Sequence, residues 1–319
     1  MNVAGPNVLI SSAGRRVGLV RAFQGAVGPL GGRVVTTDNR PGLSAACQLS
    51  DDHAQVPRID DSGFLDATLS IAQERRVGLV IPTLDTELAA LASVRDEWAD
   101  LGVHVSVPDE DLVAKCRNKR LTADLFDSLG ISPLQEVTDA FPRFVKPISG
   151  SLSQDIHVAK SPEDLHPRLE NRTLFLHQEL VDTNVYSEYT VDALYSRSGD
   201  LVCAVPRRRI EVRGGEISKG RTEKGPLLDM IRTRLARIPG ARGCLTIQLF
   251  YAETEGRPLI GIEVNARFGG GYPMSHAAGA TFTHWLVDET FAGRPLEYRE
   301  DWRDGLTFLR FDDQVSVGA

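Results

Sequence analysis

The stretch GIEVNARFGGGYP, residues 261–273, sets Glu263, Asn265 and Arg267 at every second position and then spends three glycines, Gly269, Gly270 and Gly271. In a strand, positions two apart share a face. These three polar side chains are therefore expected to line one surface, with Ile262, Val264 and Ala266 turned into the core. The segment before it, CLTIQLFYAE, predicts an antiparallel partner strand joined through the EGRP turn. Gln248 then projects onto the same face. A carboxylate flanked by amide oxygens is a hard-oxygen set suited to Mg²⁺, whose other ligands are usually waters and phosphates. Arg267 offers a fork of donors to a phosphate oxygen, and the glycines would let backbone approach a ligand closely. A surface ion pair between Glu263 and Arg267 is the plain alternative.

Three further clusters lie upstream. FVKPISGSLSQDI, residues 144–156, puts Lys146 at a strand end before a loop holding Ser149, Gly150, Ser151 and Ser153. Such a loop is short enough to fold over phosphates with its amides. It lacks the GxxxxGK[ST] spacing and a following helix, so a hairpin turn fits it too. In FLHQELVDTNVYSEYTVDA, residues 175–193, the turn at Glu179, Leu180 and Val181 could meet an adenine edge and Glu188 could accept from ribose hydroxyls. Read singly, each acid is a surface acid. In RRRIEVRGGEISKGRTEK, residues 207–224, Arg209 and Lys219 could neutralise a triphosphate; a solvated basic face is the default.

The first third alternates strands (NVLISSAG, RVVTTD, GLVIPTLDTEL, VHVSVPD) with helical stretches, the first of which spaces Val17, Val20, Phe23 and Val27 along one face. That order means βαβ units and a parallel sheet. Ligands of such sheets sit at the carboxyl ends of strands, here residues 11–14, 38–40 and 83–85. Beyond Asp109, EDLVAKCRNKRLTADLFDSLGIS predicts one helix stopped by Gly130. Shorter strands follow, then a helix over GPLLDMIRTRLARIPG.

The chain has 319 residues, 42% of them hydrophobic and 25% charged, which suits two or three packed subdomains and excludes a disordered or fibrous chain. A net charge of −7 without a sustained basic block offers no footprint for nucleic acid. Cys47, Cys116, Cys203 and Cys244 are scattered, as reduced structural cysteines are. The N-terminus has no signal-peptide pattern, and no window reaches the roughly 18 apolar residues of a membrane span. A cytoplasmic protein is expected.

Taken in order, these clusters resemble the ATP-grasp superfamily, in the branch like the carbamoyl-phosphate synthetase large chain and the lysine ligase of pyrrolysine biosynthesis. NVLISSAGRRVGLVRAF resembles that branch's opening strand and helix. LVIPTLDTELAAL, CRNKRLTADLFDSLGI, FPRFVKPISGSLSQDI and IEVNARFGGG are similar to its later segments. The resemblance implies an α/β fold: a doubly wound parallel N-terminal domain (residues 1–110), a central helix and lid subdomain (111–190), and a C-terminal ATP-grasp subdomain with the metal and phosphate site (191–319). It implies that Lys119 and Lys146 contact ATP phosphates, that Gly150, Ser151 and Ser153 form the lid, that Glu179, Leu180 and Val181 hold adenine, and that Glu188 holds ribose. It implies Mg²⁺ or Mn²⁺ on Glu263 and Asn265 with Gln248, which stands where many relatives have an acid. Arg267, aided by Arg209 and Lys219, would stabilise the transferring phosphate. Gly269, Gly270, Gly271 and Tyr272, next to the phosphate site, would face the substrate, as would Arg15, Arg16 and Asp85 at N-terminal strand ends. Ala266 replaces a proline common in the family, and Leu152 and Gln154 make the loop less glycine-rich.

The implied activity is an ADP-forming ligation of a small carboxylic or amino acid to an amine through an acyl phosphate; a thiol acceptor is also conceivable. A small-molecule kinase and a non-catalytic nucleotide-binding protein are the alternatives. A full carbamoyl-phosphate synthetase is not expected, because the chain holds one ATP module. Nor is biotin carboxylation, because the chain ends soon after the hairpin. Homodimers are common in the family.

Overall fold

In a computed structural model that describes residues 5–149, 155–254 and 256–318, the first strand, β1 (Asn7–Ser11), is buried along nearly its whole length. It lies at the centre of its sheet, where an unbroken apolar run is what cover on both faces requires. The other strands are β2 (Val34–Asp38), β3 (Asp52–Gln55), β4 (Val77–Pro82) and β5 (His104–Val105), in the order β3-β2-β1-β4-β5. All pairings are parallel. Helices α1 (Val17–Val27), α2 (Ala45–Leu49), α3 (Phe64–Glu74) and α4 (Leu88–Asp100) make the crossovers, as expected of a doubly wound sheet. Helix α1 buries Val20, Phe23 and Val27, the face its period predicts. Strand β3 was not legible: DHAQ sits at the sheet edge, where alternate side chains are exposed and no apolar run is needed.

The single helix expected after Asp109 is two, α5 (Glu110–Arg117) and α6 (Lys119–Ser128). They part at Asn118, which takes φ −113° and ψ 114° and caps the next helix, its side-chain oxygen accepting from the Arg120 amide at 3.0 Å. Gly130, at φ 69°, ends the pair as predicted.

Next come β6 (Ser132–Pro133) and a three-stranded antiparallel sheet of β7 (Arg143–Pro147), β8 (His157–Ala159) and β9 (Phe175–Glu179). The remaining strands are β10 (Ser187–Tyr195), β11 (Leu201–Arg213), β12 (Glu216–Thr222), β13 (Gly243–Tyr251), β14 (Ile260–Asn265) and β15 (Thr307–Leu309), with helices α7 (Pro226–Arg234), α8 (Tyr272–Ala277) and α9 (Phe282–Phe291). They form a seven-stranded sheet, β15-β12-β11-β10-β13-β14-β6.

The two sheets are joined through helices, α8 and α9 packing on α1 and α9 also on β4. A single buried apolar cluster runs from β1 through β13 to α9. Thr283 of α9 donates to the Ala22 carbonyl at 3.3 Å. The Phe291 ring fills the space beside Gly78, where a Cβ would come within 2.5 Å of it. The carboxyl ends of β1 and β4 are thereby held against the β13–β14 hairpin. All four cysteines are free. Among the described residues, no helix is long and apolar enough to cross a membrane.

Candidate active site

Strands β13 and β14 pair antiparallel with Thr246 opposite Asn265 and Gln248 opposite Glu263, so the expected polar face exists. Gln248 Nε2 donates to Glu263 Oε1 at 2.6 Å, and Asn265 Nδ2 donates to the same oxygen at 2.9 Å. Past Gln248 the register slips: Leu249 lies opposite Gly261, leaving Ile262 as an extra residue. This bulge turns Ile262 toward the cavity beside Glu263 instead of into the core. Val264 and Ala266 are buried as predicted. The plain alternative of a Glu263–Arg267 surface pair is absent among the described residues. Arg267 Nη2 instead reaches Asp85 Oδ2 at 2.7 Å and Nη1 donates to the Phe268 carbonyl at 3.1 Å.

Glu263 and its amides suit a divalent cation. Half a turn about either amide's terminal torsion directs its carbonyl oxygen where its nitrogen now lies. One carboxylate and two carbonyl oxygens then form a hard set of the kind Mg²⁺ or Mn²⁺ takes, with phosphates and waters completing it. No group of three or more His, Cys, Asp and Glu gathers anywhere among the described residues.

The hairpin faces a cavity of about 890 Å³, walled by the three-stranded and seven-stranded sheets. That is near the upper end for small-molecule sites. Lys119, Lys146, Glu179, Leu180, Val181, Glu188, Arg209, Gln248, Glu263, Asn265 and Arg267 all line it. Burial pushes the Lys146 ammonium down to about 8; Glu263 opposes this and Lys119 adds to it. Burial also lowers Lys119, against the pull of Glu263 and Asp85. Two desolvated cations beside one carboxylate form a place that favours anions. Burial raises the Glu188 carboxyl, opposed by Arg209 and reinforced by Glu263. Arg209 Nε lies 3.2 Å from Glu188 Oε1, and its other nitrogens reach Thr190 Oγ1 and the Gly215 carbonyl. Glu179 Oε1 accepts from the Gln135 amide at 3.1 Å. Gly150, Ser151 and Ser153 lie outside the described residues; Ser149 and Asp155 on either side line the cavity.

Four expected residues do not line the cavity. Lys219 is half exposed and pairs with Glu211 at 2.6 Å. The register slips twice between β11 and β12, leaving Ser218 and then Ile210 unopposed around the Glu211–Lys219 pair, and Lys219 lies on the exposed side of this irregular stretch. Tyr272 is fully buried, its ring against Phe268 and Phe282 and its hydroxyl donating to the Ala280 carbonyl at 3.2 Å. As the first residue of α8 it belongs to the core. Arg15 is exposed, whereas Arg16, the other arginine expected there, lines the cavity. Asp85 acts through Arg267 and does not itself line the cavity.

The glycines do line it, yet the close approach they permit is to side chains. A Cβ would lie 2.8 Å from Thr246 Oγ1 at Gly269, 3.0 Å from both Arg16 Nη1 and Glu216 Oε1 at Gly270, and 2.4 Å from Arg207 Nη1 at Gly271. Arg207 went unnoticed in the sequence, although it stands two residues before Arg209 on the same strand. Its Nε donates to the wholly buried Asp192 at 3.0 Å, and Ser275 donates to the same oxygen at 2.6 Å. A lone acid in the apolar run of β10 was the available signal. Glu87 was also missed. Fully buried, it accepts from Ser11 and Ser12 hydroxyls at 2.7 and 2.8 Å and from Thr83 and Leu84 amides at 2.7 and 3.0 Å. It thus ties the ends of β1 and β4 together and fixes the loop carrying Asp85.

Comparison with known proteins bears on the family and the fold. Residues 8–106 match the model of the PylC-like N-terminal domain, and residues 178–312 match that of the ATP-grasp in the biosynthetic pathway with Ter operon. No curated protein matches in sequence. Among solved structures, the biotin carboxylase domain of 2-oxoglutarate carboxylase from Hydrogenobacter thermophilus, in complex with Mg-ADP, ADP and bicarbonate, is 15% identical. It covers 95% of this chain and 73% of its own, with a TM-score of 0.71. An L-amino acid ligase from Bacillus licheniformis is 16% identical at a TM-score of 0.69, covering 95% of this chain and 78% of its own. The N5-carboxyaminoimidazole synthetase of Staphylococcus aureus, complexed with ADP, is 12% identical at 0.67, covering 92% and 79%. At such identities the likeness is one of fold.

Proposed function

We propose that this chain, which belongs to the ATP-grasp superfamily, is an ADP-forming ligase that joins a small carboxylic acid to an amine through an acyl phosphate. The observation that carries the reading is the meeting of Lys146, Glu263, Asn265 and Arg267 in one cavity of nucleotide size. The L-amino acid ligase of the same fold supports the choice of reaction class.

Lys119 and Lys146 bind phosphate oxygens, and an incoming polyanion favours their charged forms. Glu179, Leu180 and Val181 meet the adenine edge, and Glu188 the ribose. Glu263, Asn265 and Gln248 hold a divalent cation, which supplies screening of the phosphate charge when bound. Arg267 orients the transferring phosphoryl group and stabilises its developing charge. A carboxylate oxygen of the acid attacks the γ-phosphorus, the bond to the β–γ bridging oxygen breaks, and ADP leaves. The amine nitrogen then attacks the acyl carbon, the bond to the phosphate oxygen breaks, and the amine proton passes to solvent as phosphate leaves. Positioning and charge neutralisation suffice for both steps, so no covalent nucleophile is required.

The test is purified protein with Mg-ATP, a panel of carboxylic and amino acids, and hydroxylamine as trapping amine. ADP, phosphate and a hydroxamate are expected. AMP and pyrophosphate would overturn the acyl-phosphate route, and a stable phosphate ester in the phosphorus NMR spectrum would identify a kinase.

A further inference from the structure

Over Gly270 two side chains of opposite charge face the cavity without pairing with each other. Arg16 Nη1 and Glu216 Oε1 each come within 3.0 Å of the point a Cβ would take there. Arg16 belongs to the loop after β1, and its Nη2 donates to the Thr83 carbonyl at 3.3 Å. Among the described residues no carboxylate pairs with it. Burial pushes its guanidinium down to about 10; Arg267 and Arg310 add to this, and Glu216 and Asp85 offset it only in part. A half-desolvated cation beside a like charge is short of an anion. Glu216, from the start of β12, gives its Oε2 to Arg310 and leaves Oε1 above the glycine. Burial alone would raise its carboxyl, but the bond and charge of Arg310 with the charges of Arg16 and Arg15 hold it below the usual range. It is therefore an ionised acceptor.

We propose that the acid taken by this enzyme is an α-amino acid, bound with its carboxylate on Arg16 and its ammonium on Glu216. What happens to that carboxylate afterwards rests on the ligase reading. The argument is one of charge. A plain carboxylate satisfies Arg16 but meets Glu216 as a like charge, and a simple amine leaves Arg16 bare. Only a molecule carrying both charges a few bonds apart satisfies both walls at once. Gly270 matters because any side chain there would occupy the space between the two groups.

The experiment titrates the protein, loaded with Mg and a non-hydrolysable ATP analogue, with the proteinogenic L-amino acids. Each amino acid is matched by its 2-hydroxy acid, which lacks the ammonium, and by its amide, which lacks the carboxylate. At least one amino acid is expected to bind about tenfold or more tightly than both counterparts, the scale of a lost charge-assisted bond. Glu216→Gln should erase the preference over the hydroxy acid and Arg16→Gln the preference over the amide. Unchanged affinity for the ATP analogue shows that both variants are folded. Equal binding of hydroxy acids, no binding of any amino acid to the nucleotide-loaded protein, or variants that keep both preferences would each overturn the proposal. ADP release, measured in parallel, separates the two readings. Selective binding without ADP release would remove the ligase reading and leave the Arg16–Glu216 assignment standing. ADP release driven only by acids without an ammonium would do the reverse.

Discussion

Arg267 of the hairpin and Asp85 at the carboxyl end of β4 pair at 2.7 Å, although 182 positions separate them in sequence. Both are largely shielded, with 12% and 20% of their side-chain surface exposed. Asp85 thus aims the guanidinium, and the N-terminal sheet becomes part of the proposed phosphate site. Asp85→Asn should lower kcat on the order of 10- to 100-fold, the cost of a misplaced group. Arg267→Ala should lower it on the order of 100- to 1,000-fold. Neither should move the circular dichroism spectrum, and steady-state kinetics with each variant is the check.

Glu263 is the only carboxylate in the proposed cation set, and both neighbouring amides already bond to it. Glu263→Gln should raise the Mg²⁺ concentration needed for half-maximal rate roughly tenfold or more. A magnesium titration of turnover that matches wild type would remove Glu263 from the metal site.

Lys146 gives a pH signature. Its native pKa of about 8 lies below the free value of 10.5 because burial outweighs Glu263. Between these values the unfolded chain holds more protons than the native one, so this group's contribution makes stability rise with pH there. Phosphate binding favours the ammonium, so nucleotide binding near pH 9 should take up a proton. Calorimetry of ADP binding in buffers of different ionisation enthalpy measures that uptake, and Lys146→Met should abolish it.

Two residues expected at the site should prove silent in catalysis. Tyr272→Phe leaves the Thr283 amide and Ala280 carbonyl without their hydroxyl partner and should cost about 1–3 kcal/mol of stability, with KM unchanged. Lys219→Ala breaks only an exposed pair with Glu211 and should leave both kinetics and melting temperature at wild-type values.

Gly271→Ala should act through Arg207. The new methyl would sit 2.4 Å from Arg207 Nη1, and that guanidinium is held by buried Asp192. Overpacking of this kind costs about 1–3 kcal/mol, visible in a denaturant titration.

The parallel sheet was legible because its central strands are short apolar runs separated by helical periods. Strand β3 was not, because an edge strand can be polar. The polar face of the hairpin followed from its alternation, yet the bulge at Ile262 shifts that strand's phase, and β11 and β12 slip twice, at Ser218 and Ile210. Ile262 thereby enters the cavity, and Lys219 lies on the exposed side of its irregular stretch. Register slips depend on the partner strand, and no local pattern records them. The three glycines were read as letting backbone approach a ligand; the side chains that lie against them, Thr246, Arg16, Glu216 and Arg207, come from distant segments, so that contact was not readable.

By itself, the sequence determined most of the elements and which residue types are available: an alternating βα start, an acid–amide–guanidinium strand, a lysine at a strand end and another in the helical stretch after Asp109. Only the tertiary structure decided which of those groups share a cavity. Packing the N-terminal domain against the hairpin brings Arg16 and Asp85 to bear on residues far along the chain. Charges act through space at a few ångströms, whereas sequence patterns report only neighbours along the backbone.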